Sequence, residues 1–131
     1  MILRRIQDVE KIDVGKKFGK PEGVSIIQWI FSKEVGDERY HHKHAVRKYT
    51  VQPGPKLEEI PFHHHKYIQT PYILKGRMVF ENEAGQRIEA GPGDTVCFYE
   101  DELHHGAVVG DEPAEFLCII DCPGDGEDCI P

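Results

Sequence analysis

The sequence predicts an all-β fold, a sandwich or barrel formed by one domain. Helix signals are weak, because nine prolines and thirteen glycines interrupt the 131 residues at short intervals. Between these breaks lie short runs rich in β-branched and aromatic residues, and short strands at regular spacing are typical of sandwiches and barrels. In chain order the runs are Val24–Phe31, Ala45–Val51, Tyr72–Glu81, Thr95–Tyr99, Ala107–Val109 and Glu115–Ile120.

The segments between these runs contain recognisable turns. Gly76 lies inside the third run and predicts a strand bent at a glycine, as a barrel corner requires. Glu83-Ala-Gly85 and Gly91-Pro-Gly-Asp94 have the composition of tight turns. The polar segment Ser32–His44 is predicted to be a surface loop, and the acidic, Gly- and Pro-containing Cys122–Pro131 a C-terminal tail. We therefore expect one domain over residues 1–131, with a core barrel over about 24–121.

Charge and hydropathy limit the expected partners and compartment. The net charge is -7 and there is no basic run, so we expect binding to neither nucleic acid nor membrane, and a small molecule is the favoured partner. Met1–Lys20 is charged throughout and shows no signal peptide, and no apolar run approaches the ~20 residues that span a bilayer. A cytoplasmic location is therefore expected, with free thiols at Cys97, Cys118, Cys122 and Cys129.

The eight histidines form three groups, at positions 41, 42 and 44, at 63–65, and at 104 and 105. Because alternate residues of a strand share a face, His63 and His65 point to one side and His64 to the other. Two imidazoles so placed can bind one metal at about 2.0–2.2 Å, by analogy with zinc sites. A third ligand has to come from a neighbouring strand, and His104 or His105 could supply it.

The spacing of these residues resembles a known family. Pro53-Gly54, then His63-x-His65-x3-Gln69-x6-Gly76, then Pro92-x-Asp94 with His104 ten residues later, is similar to the two motifs of the cupin superfamily. The chain also looks like the small single-domain bacterial cupins, through segments such as Met1–Arg5, Arg47–Gly54 and Glu115–Ile120. The resemblance implies a double-stranded β-helix, or jelly-roll barrel, with an N-terminal strand extension and a homodimeric assembly.

The resemblance also implies a metal and its ligands. His63, His65 and His104 match the three histidine positions of the family, and His104 is preferred over His105 because of its spacing from Asp94. The expected cofactor is one divalent transition metal, which could be Mn, Fe, Ni, Cu or Zn.

Gln69 departs from the family pattern, in which most members have Glu at this position and a subset has a fourth His. A neutral amide leaves the site with a net charge of about +2, which favours an anionic substrate and acidifies metal-bound water, and it removes a possible general base. Gln69 could ligate weakly through its amide oxygen, or withdraw and leave three histidines.

Three further residues are predicted to belong to the pocket. Arg47 and Tyr49 share a strand face that the resemblance turns inward, and Arg47 could pair with an anionic substrate group. Cys118 is similar to a thiol near the metal in such cupins. The alternatives are a buried ion pair for Arg47, simple packing for Tyr49 and a small core residue for Cys118. For Cys118 the core interpretation is preferred.

The remaining histidines, two of the cysteines and the N-terminal segment are predicted to lie outside the site. We expect His64 and His105 to be solvated or at an interface, because their strand parity is opposite to that of the ligands. The group at positions 41, 42 and 44 is interpreted as a surface loop, although a second metal site or a lid remains open. Cys122 and Cys129 could instead form a disulfide or a metal clip. Met1–Ile6 is interpreted as an edge strand that pairs across a dimer.

These features favour an enzyme. The hypothesis is dioxygenase-type oxidative cleavage of a small enolisable or carboxylate-bearing molecule on the metal. The second enzyme hypothesis is a non-oxidative isomerase, cyclase or lyase that uses the same metal. The alternative is a sensor module that binds a metal or ligand without turnover, and it is weaker because the chain has no room for a helix-turn-helix. Fold alone does not separate these possibilities.

Overall fold

The computed structural model describes residues 1–32, 34–36, 38 and 44–121, with the side chain of Phe18 excluded. Eight strands dominate this part of the chain, with one short helix, α1 (Val14–Phe18), and single 3-10 turns at Ile6–Asp8 and Leu57–Glu59. The strands are β1 (Ile12–Asp13), β2 (Ser25–Phe31), β3 (His44–Val51), β4 (Gln69–Lys75), β5 (Met78–Asn82), β6 (Arg87–Ala90), β7 (His104–Val108) and β8 (Ala114–Asp121).

The strands form two antiparallel sheets. The larger sheet has the order β1-β2-β3-β8-β4 and the smaller sheet the order β6-β5-β7. Backbone bridges join Gln69 to Phe98 and Tyr72 to Thr95, so the segment before β7 continues the surface from β4. The fold is therefore an all-β jelly roll, as the sequence predicts.

The core lies between the two sheets and follows strand alternation. On β8, Ala114, Phe116, Cys118 and Ile120 are buried, whereas the residues between them are more exposed. The pairing of β3 with β8 places Arg47 beside Cys118 and Tyr49 beside Phe116 on the same inward face. The parity predicted for Arg47 and Tyr49 agrees with this register.

Gly76 marks the place where the chain changes sheets. The predicted run Tyr72–Glu81 is divided into β4 of the larger sheet and β5 of the smaller sheet, with Gly76 between them at φ 73°. A Cβ atom at this position would lie 2.6 Å from the Pro113 carbonyl oxygen. Only glycine satisfies both the left-handed backbone and the close approach. The turns at 83–85 and 91–94 also form, and the Asp94 amide donates to the Gly91 carbonyl at 2.9 Å.

Some elements differ from the sequence-based expectations. The segment 95–99 forms isolated bridges rather than a strand, and β1, α1 and β6 were not predicted. Met1–Ile6 forms no strand within the described chain. Instead, the buried Gln28 side chain donates to the carbonyls of Ile6 and Val9, at 3.0 Å each, and holds the N-terminal segment on the outer face of β2. Pairing of Met1–Ile6 across a dimer stays a prediction. No helix within the described ranges has the length and apolar character needed to cross a membrane.

Candidate metal centre

Three histidines from distant positions converge inside the jelly roll. His63 and His104 form an antiparallel bridge in which each backbone amide donates to the other residue's carbonyl at 2.9 Å. His65 lies two residues further along the first segment, on the same side as His63. One ring nitrogen from each of the three residues lies within 4.8 Å of the others. Such a cluster matches the geometry expected for a metal bound by three imidazoles.

The tautomer of His104 is set by its backbone surroundings. Its Nδ1 lies 2.7 Å from the Glu102 carbonyl oxygen. Since a carbonyl only accepts, Nδ1 carries the proton and Nε2 keeps the lone pair that a metal needs. The ring also stacks on Phe98, with centroids 3.9 Å apart and planes inclined by 9°. His104 is thus oriented before any ion binds.

Burial keeps the imidazoles neutral. It lowers the pKa of His63 to about 2, with a further contribution from the positive charge of Lys20. It lowers the pKa of His65 to about 3, where the next cause is the charge of Arg47. The pKa of His104 is also lowered, chiefly by burial. Because neutral imidazole is the form that ligates, the cluster is ready to bind metal throughout the neutral range.

Gln69 lies at the start of β4 and is 7% exposed. Its backbone is hydrogen-bonded in both directions to Phe98, the residue that stacks on His104. The side-chain Oε1 is buried and has no hydrogen-bond partner among the described residues. Burying an unsatisfied carbonyl oxygen costs about 1–3 kcal/mol, so this oxygen is suited to a ligand that the cavity receives. Direct ligation of a metal by Gln69 stays a prediction.

The residues present fit a divalent transition metal. Three neutral imidazole nitrogens and an orphaned amide oxygen suit the Mn, Fe, Ni, Cu or Zn ions expected for such sites. All of these donors are neutral, so a bound divalent ion would keep its full charge of about +2.

A cavity of about 430 Å³ opens beside the three histidines. This volume is within the range of sites for small organic ligands, about 300–1,000 Å³. Most of its wall is apolar, and the described residues that line it include no aspartate or glutamate. Among the apolar members are Val14, Pro21, Met78, Phe80, Phe98 and Phe116.

Tyr49 is the predicted pocket residue that reaches the cavity wall. Its ring stacks on Phe116 with centroids 4.9 Å apart. Burial raises the pKa of its hydroxyl although the charge of Arg47 acts in the opposite direction, so Tyr49 stays a protonated phenol at neutral pH. A catalytic role for Tyr49 remains a prediction.

Arg47 and Cys118 are buried and do not line the cavity. Arg47 Nη2 donates to Cys118 Sγ at 3.0 Å, and Nη1 to the hydroxyls of Tyr49 and Tyr67 at 3.3 and 3.4 Å. The guanidinium also lies over the Trp29 ring, 5.2 Å from its centroid. Burial opposes its charge, but Tyr49, Cys118 and Tyr67 outweigh that effect and raise the pKa of Arg47. Because neither residue lines the cavity, the structure gives no support for a substrate contact by Arg47 or Cys118, and these contacts remain predictions.

The two histidines of opposite parity have different surroundings. His64 is exposed, as expected, and its Nδ1 lies 3.1 Å from an Asp101 carboxylate oxygen. The expectation of a solvated or interface side chain is wrong for His105, which is 4% exposed. Its Nδ1 lies 2.7 Å from the Ile60 carbonyl oxygen and its ring stacks on Phe62 with centroids 3.9 Å apart. The segment before His63 folds over the outer face of the smaller sheet and covers His105.

The remaining histidines and cysteines are only partly described. His41 and His42 lie outside the described residues, as do Cys122 and Cys129, so the predictions about these residues stay predictions. His44 begins β3 and is exposed. Cys97 and Cys118 are free thiols, the first exposed and the second buried.

Sequence reasoning missed Lys20, which lines the cavity with the histidines. Its local sequence contains no metal-ligand or catalytic motif, and only the fold of the N-terminal segment brings it to this wall. The turn-forming residues around it, Gly19 and Pro21, were the one available signal that α1 ends here and the chain reverses.

A model of the Cupin domain family matches residues 47–120, which is more than half of the chain. The chain belongs to the cupin family. The matched segment contains all three histidines of the cluster, together with Gln69. No curated protein matches the sequence significantly.

Solved cupin structures share the architecture. The polyketide cyclase RemF from Streptomyces resistomycificus is 19% identical, with a TM-score of 0.72 over 95% of this chain and 82% of that chain. A predicted oxalate decarboxylase from Thermotoga maritima is 22% identical, with a TM-score of 0.69 over 92% of this chain and 99% of that one. FeII HppE is 10% identical, with a TM-score of 0.70 over 92% and 60% of the two chains. At these identities the likeness shows the fold.

Proposed function

We propose that this cupin is a metal-dependent enzyme that acts on a small enolisable or carboxylate-bearing organic anion. The observation that carries the proposal is a three-histidine cluster beside a cavity whose described wall contains no carboxylate. A site built only from neutral donors does not cancel the charge of a divalent ion. An anion is therefore the form of substrate that such a site stabilises best.

The residues of the proposed site have separate roles. His63, His65 and His104 would hold the metal, which supplies Lewis-acid stabilisation of negative charge on a substrate oxygen. The backbone bond to Glu102 keeps the His104 ring in the orientation that presents Nε2. The apolar wall excludes water and strengthens every electrostatic interaction in the cavity. The Gln69 amide oxygen is available either to the metal or to a hydroxyl of the substrate.

We favour dioxygenase-type oxidative cleavage as the reaction. Three protein ligands would leave coordination positions open for substrate and dioxygen, as in non-haem iron oxygenases, with a third histidine here in place of the carboxylate that those sites usually contain. The fold is shared with FeII HppE, whose iron is compatible with a redox-active metal at the proposed site.

A non-oxidative isomerase, cyclase or lyase is the second candidate. Tyr49 and Lys20 both line the cavity and both carry exchangeable protons, as a reaction that moves protons between substrate atoms requires. The structural likeness to the polyketide cyclase RemF supports the same alternative. The two candidates differ in whether dioxygen is consumed.

The test begins with elemental analysis of the protein purified without added metal. Oxygen uptake and substrate loss are then followed with β-diketones, flavonols and 2-hydroxy acids. We expect turnover to be abolished in His65→Ala and retained in His64→Ala, since His64 also borders the cavity but is no member of the histidine cluster and pairs with Asp101. Oxygen uptake supports the dioxygenase, and substrate loss without it supports the second candidate. Bound metal with no turnover on any class would favour a sensor and contradict the proposal.

A further inference from the structure

Lys20 is held at the cavity wall by a compact N-terminal turn. Helix α1 ends at Gly19, which has a left-handed backbone with φ 66°, and the chain reverses there. The Asp13 carboxylate accepts from the amide of Gly15 with one oxygen and from that of Gly23 with the other, both at 2.8 Å. One side chain thereby ties the start of the helix to the end of the following turn, with Lys20 between them.

The same turn packs tightly against the helix. A Cβ atom at Gly15 would lie 2.4 Å from the Pro21 carbonyl oxygen and 2.7 Å from that of Lys20. This contact leaves no space for a side chain at position 15, so the backbone on both sides of the turn is in close contact. The backbone of Lys20 is therefore held in a packed segment, from which its side chain reaches the cavity wall.

Lys20 is the one charged side chain among the described residues that line the cavity. It is half-buried, and no carboxylate in the described part of the chain forms an ion pair with it. Burial lowers the pKa of Lys20 to about 8, so the ammonium form still predominates at neutral pH. A partly desolvated cation without a counter-charge is a favourable partner for an anion that enters the cavity.

Lys20 lines the same cavity as His63, His65 and His104. After burial, its positive charge is the next cause of the low pKa of His63, and it contributes to the low pKa of both His65 and His104. A ligand in the cavity is therefore within the field of Lys20 at the same time as it faces the metal ligands.

We propose that Lys20 is the anion-binding residue of this cavity, and that its ammonium group binds the carboxylate of an organic acid whose apolar part packs on the aliphatic and aromatic wall. This deepens the proposed function, on which it rests, by naming the substrate class as a carboxylate with an apolar body. The reacting oxygen of the same molecule faces the three histidines. Arg47 is less suited to this contact, because it is buried, its Nη1 and Nη2 donate to Tyr49, Tyr67 and Cys118, and it does not line the wall.

The test compares a carboxylate with its neutral isostere. Binding of 3-phenylpropanoate and of 3-phenylpropanamide is measured by isothermal titration calorimetry on the protein as purified with its metal. In Lys20→Gln we expect the acid to bind at least about tenfold more weakly, the loss typical of a charge-assisted hydrogen bond. Lys20→Arg should retain most of the affinity, and the amide should bind all variants alike.

Lys16→Gln is the matched control. Lys16 is exposed on α1 and does not line the cavity, so the same loss of charge should leave acid binding unchanged. Lys20→Met serves as a second neutral variant should Lys20→Gln fail to fold, and retained metal content reports an intact site in either case.

Two results overturn the inference. One is equal affinity of the wild type and the neutral Lys20 variants for the acid, and the other is a wild type that binds the acid no better than the amide. Both are binding measurements, so they are distinct from a failure of the proposed function, which shows as absent metal or absent turnover.

Discussion

At the scale of the residue, Gln69 is the predicted ligand whose neutral side chain bears on the charge of the candidate metal site. The cluster consists of three neutral imidazoles, and the described cavity wall contributes no acid. Gln69 lines the same cavity, and its amide oxygen is buried without a hydrogen-bond partner within the described chain. With a divalent ion bound, the site would carry a net charge of about +2 with glutamine at position 69 and about +1 with glutamate there.

Gln69→Glu should tighten metal binding by about tenfold or more, because a carboxylate adds charge attraction at a position suited to ligation. Competition with a chromophoric chelator measures the change. Gln52→Glu is the matched control, since Gln52 lines the same cavity without belonging to the cluster. Equal tightening in both variants would indicate a general charge effect, and no tightening in Gln69→Glu would count against direct contact with the metal.

The low pKa values of His63 and His65 predict that acid destabilises the metal-free protein. Unfolded histidines take up protons below about pH 6.5, whereas these two resist protonation until about pH 2 and 3 when folded. The free energy of unfolding is therefore at its full value above about pH 6.5. It decreases as the pH falls below 6.5, by up to about 1.4 kcal/mol per pH unit for each histidine.

Urea unfolding of chelator-treated protein at pH 7, 6 and 5 measures this loss. His65→Asn cannot take up a proton at position 65, so its stability should decrease less over the same range. Stability of the wild type that stays constant between pH 7 and 5 would contradict the assigned burial effect.

At the scale of the element, the corner between β4 and β5 shows how the chain passes from one sheet to the other. Gly76 combines a φ of 73° with a virtual Cβ only 2.6 Å from the Pro113 carbonyl oxygen and 2.8 Å from the Ala114 Cα. The neighbour is backbone at the start of β8, which cannot move without disturbing the central pairs of the larger sheet.

Gly76→Ala should therefore cost more than backbone strain alone, with a loss of about 3 kcal/mol or more in the free energy of unfolding. Gly85→Ala is the control that separates the two effects. Gly85 has a similar φ of 79° but open space around its virtual Cβ, so its substitution should cost only about 1–2 kcal/mol. If chemical denaturation gave the same loss of unfolding free energy for Gly76→Ala and Gly85→Ala, the close approach at the corner would contribute nothing to the cost.

At the scale of the whole molecule, charge and apolar surface are distributed unevenly. The chain has a net charge of -7, yet the described cavity wall contains a lysine and no acid. On the outside, large apolar side chains are exposed on the outer face of β4 and β8 and in the N-terminal segment, namely Tyr72, Leu74, Ile119, Met1 and Leu3. Exposed apolar side chains grouped on one face of a sheet, such as Tyr72, Leu74 and Ile119 here, are typical of interaction surfaces.

We predict that this face mediates a homodimer, as the family resemblance implies. Light scattering coupled to size-exclusion chromatography should give twice the chain mass of 15.0 kDa. Ile119→Lys should shift the protein toward the monomer, because it puts a charge where Ile119 is 51% exposed on β8. Ile88→Lys, on the smaller sheet, is the control and should leave the mass unchanged. A wild type that elutes as a monomer at all concentrations would contradict the prediction.

Local pattern was enough to predict much of this protein. The inward direction of Arg47 and Tyr49, the shared side of His63 and His65, and the turns at 83–85 and 91–94 all follow from strand alternation or turn chemistry, which act over a few residues. The spacing of the motifs also identified the histidine cluster and Gln69, because the family resemblance relates distant positions to one barrel.

Only the tertiary structure decided which surfaces are covered and which side chains reach the cavity. His105 is buried because residues before His63 fold over it, and Lys20 lines the cavity because Asp13 closes a turn around it. Arg47 points inward as predicted, yet it donates to Tyr49 and Cys118 and does not line the cavity. Strand parity sets the side to which a residue points, but contacts between segments far apart in the chain determine what lies on that side.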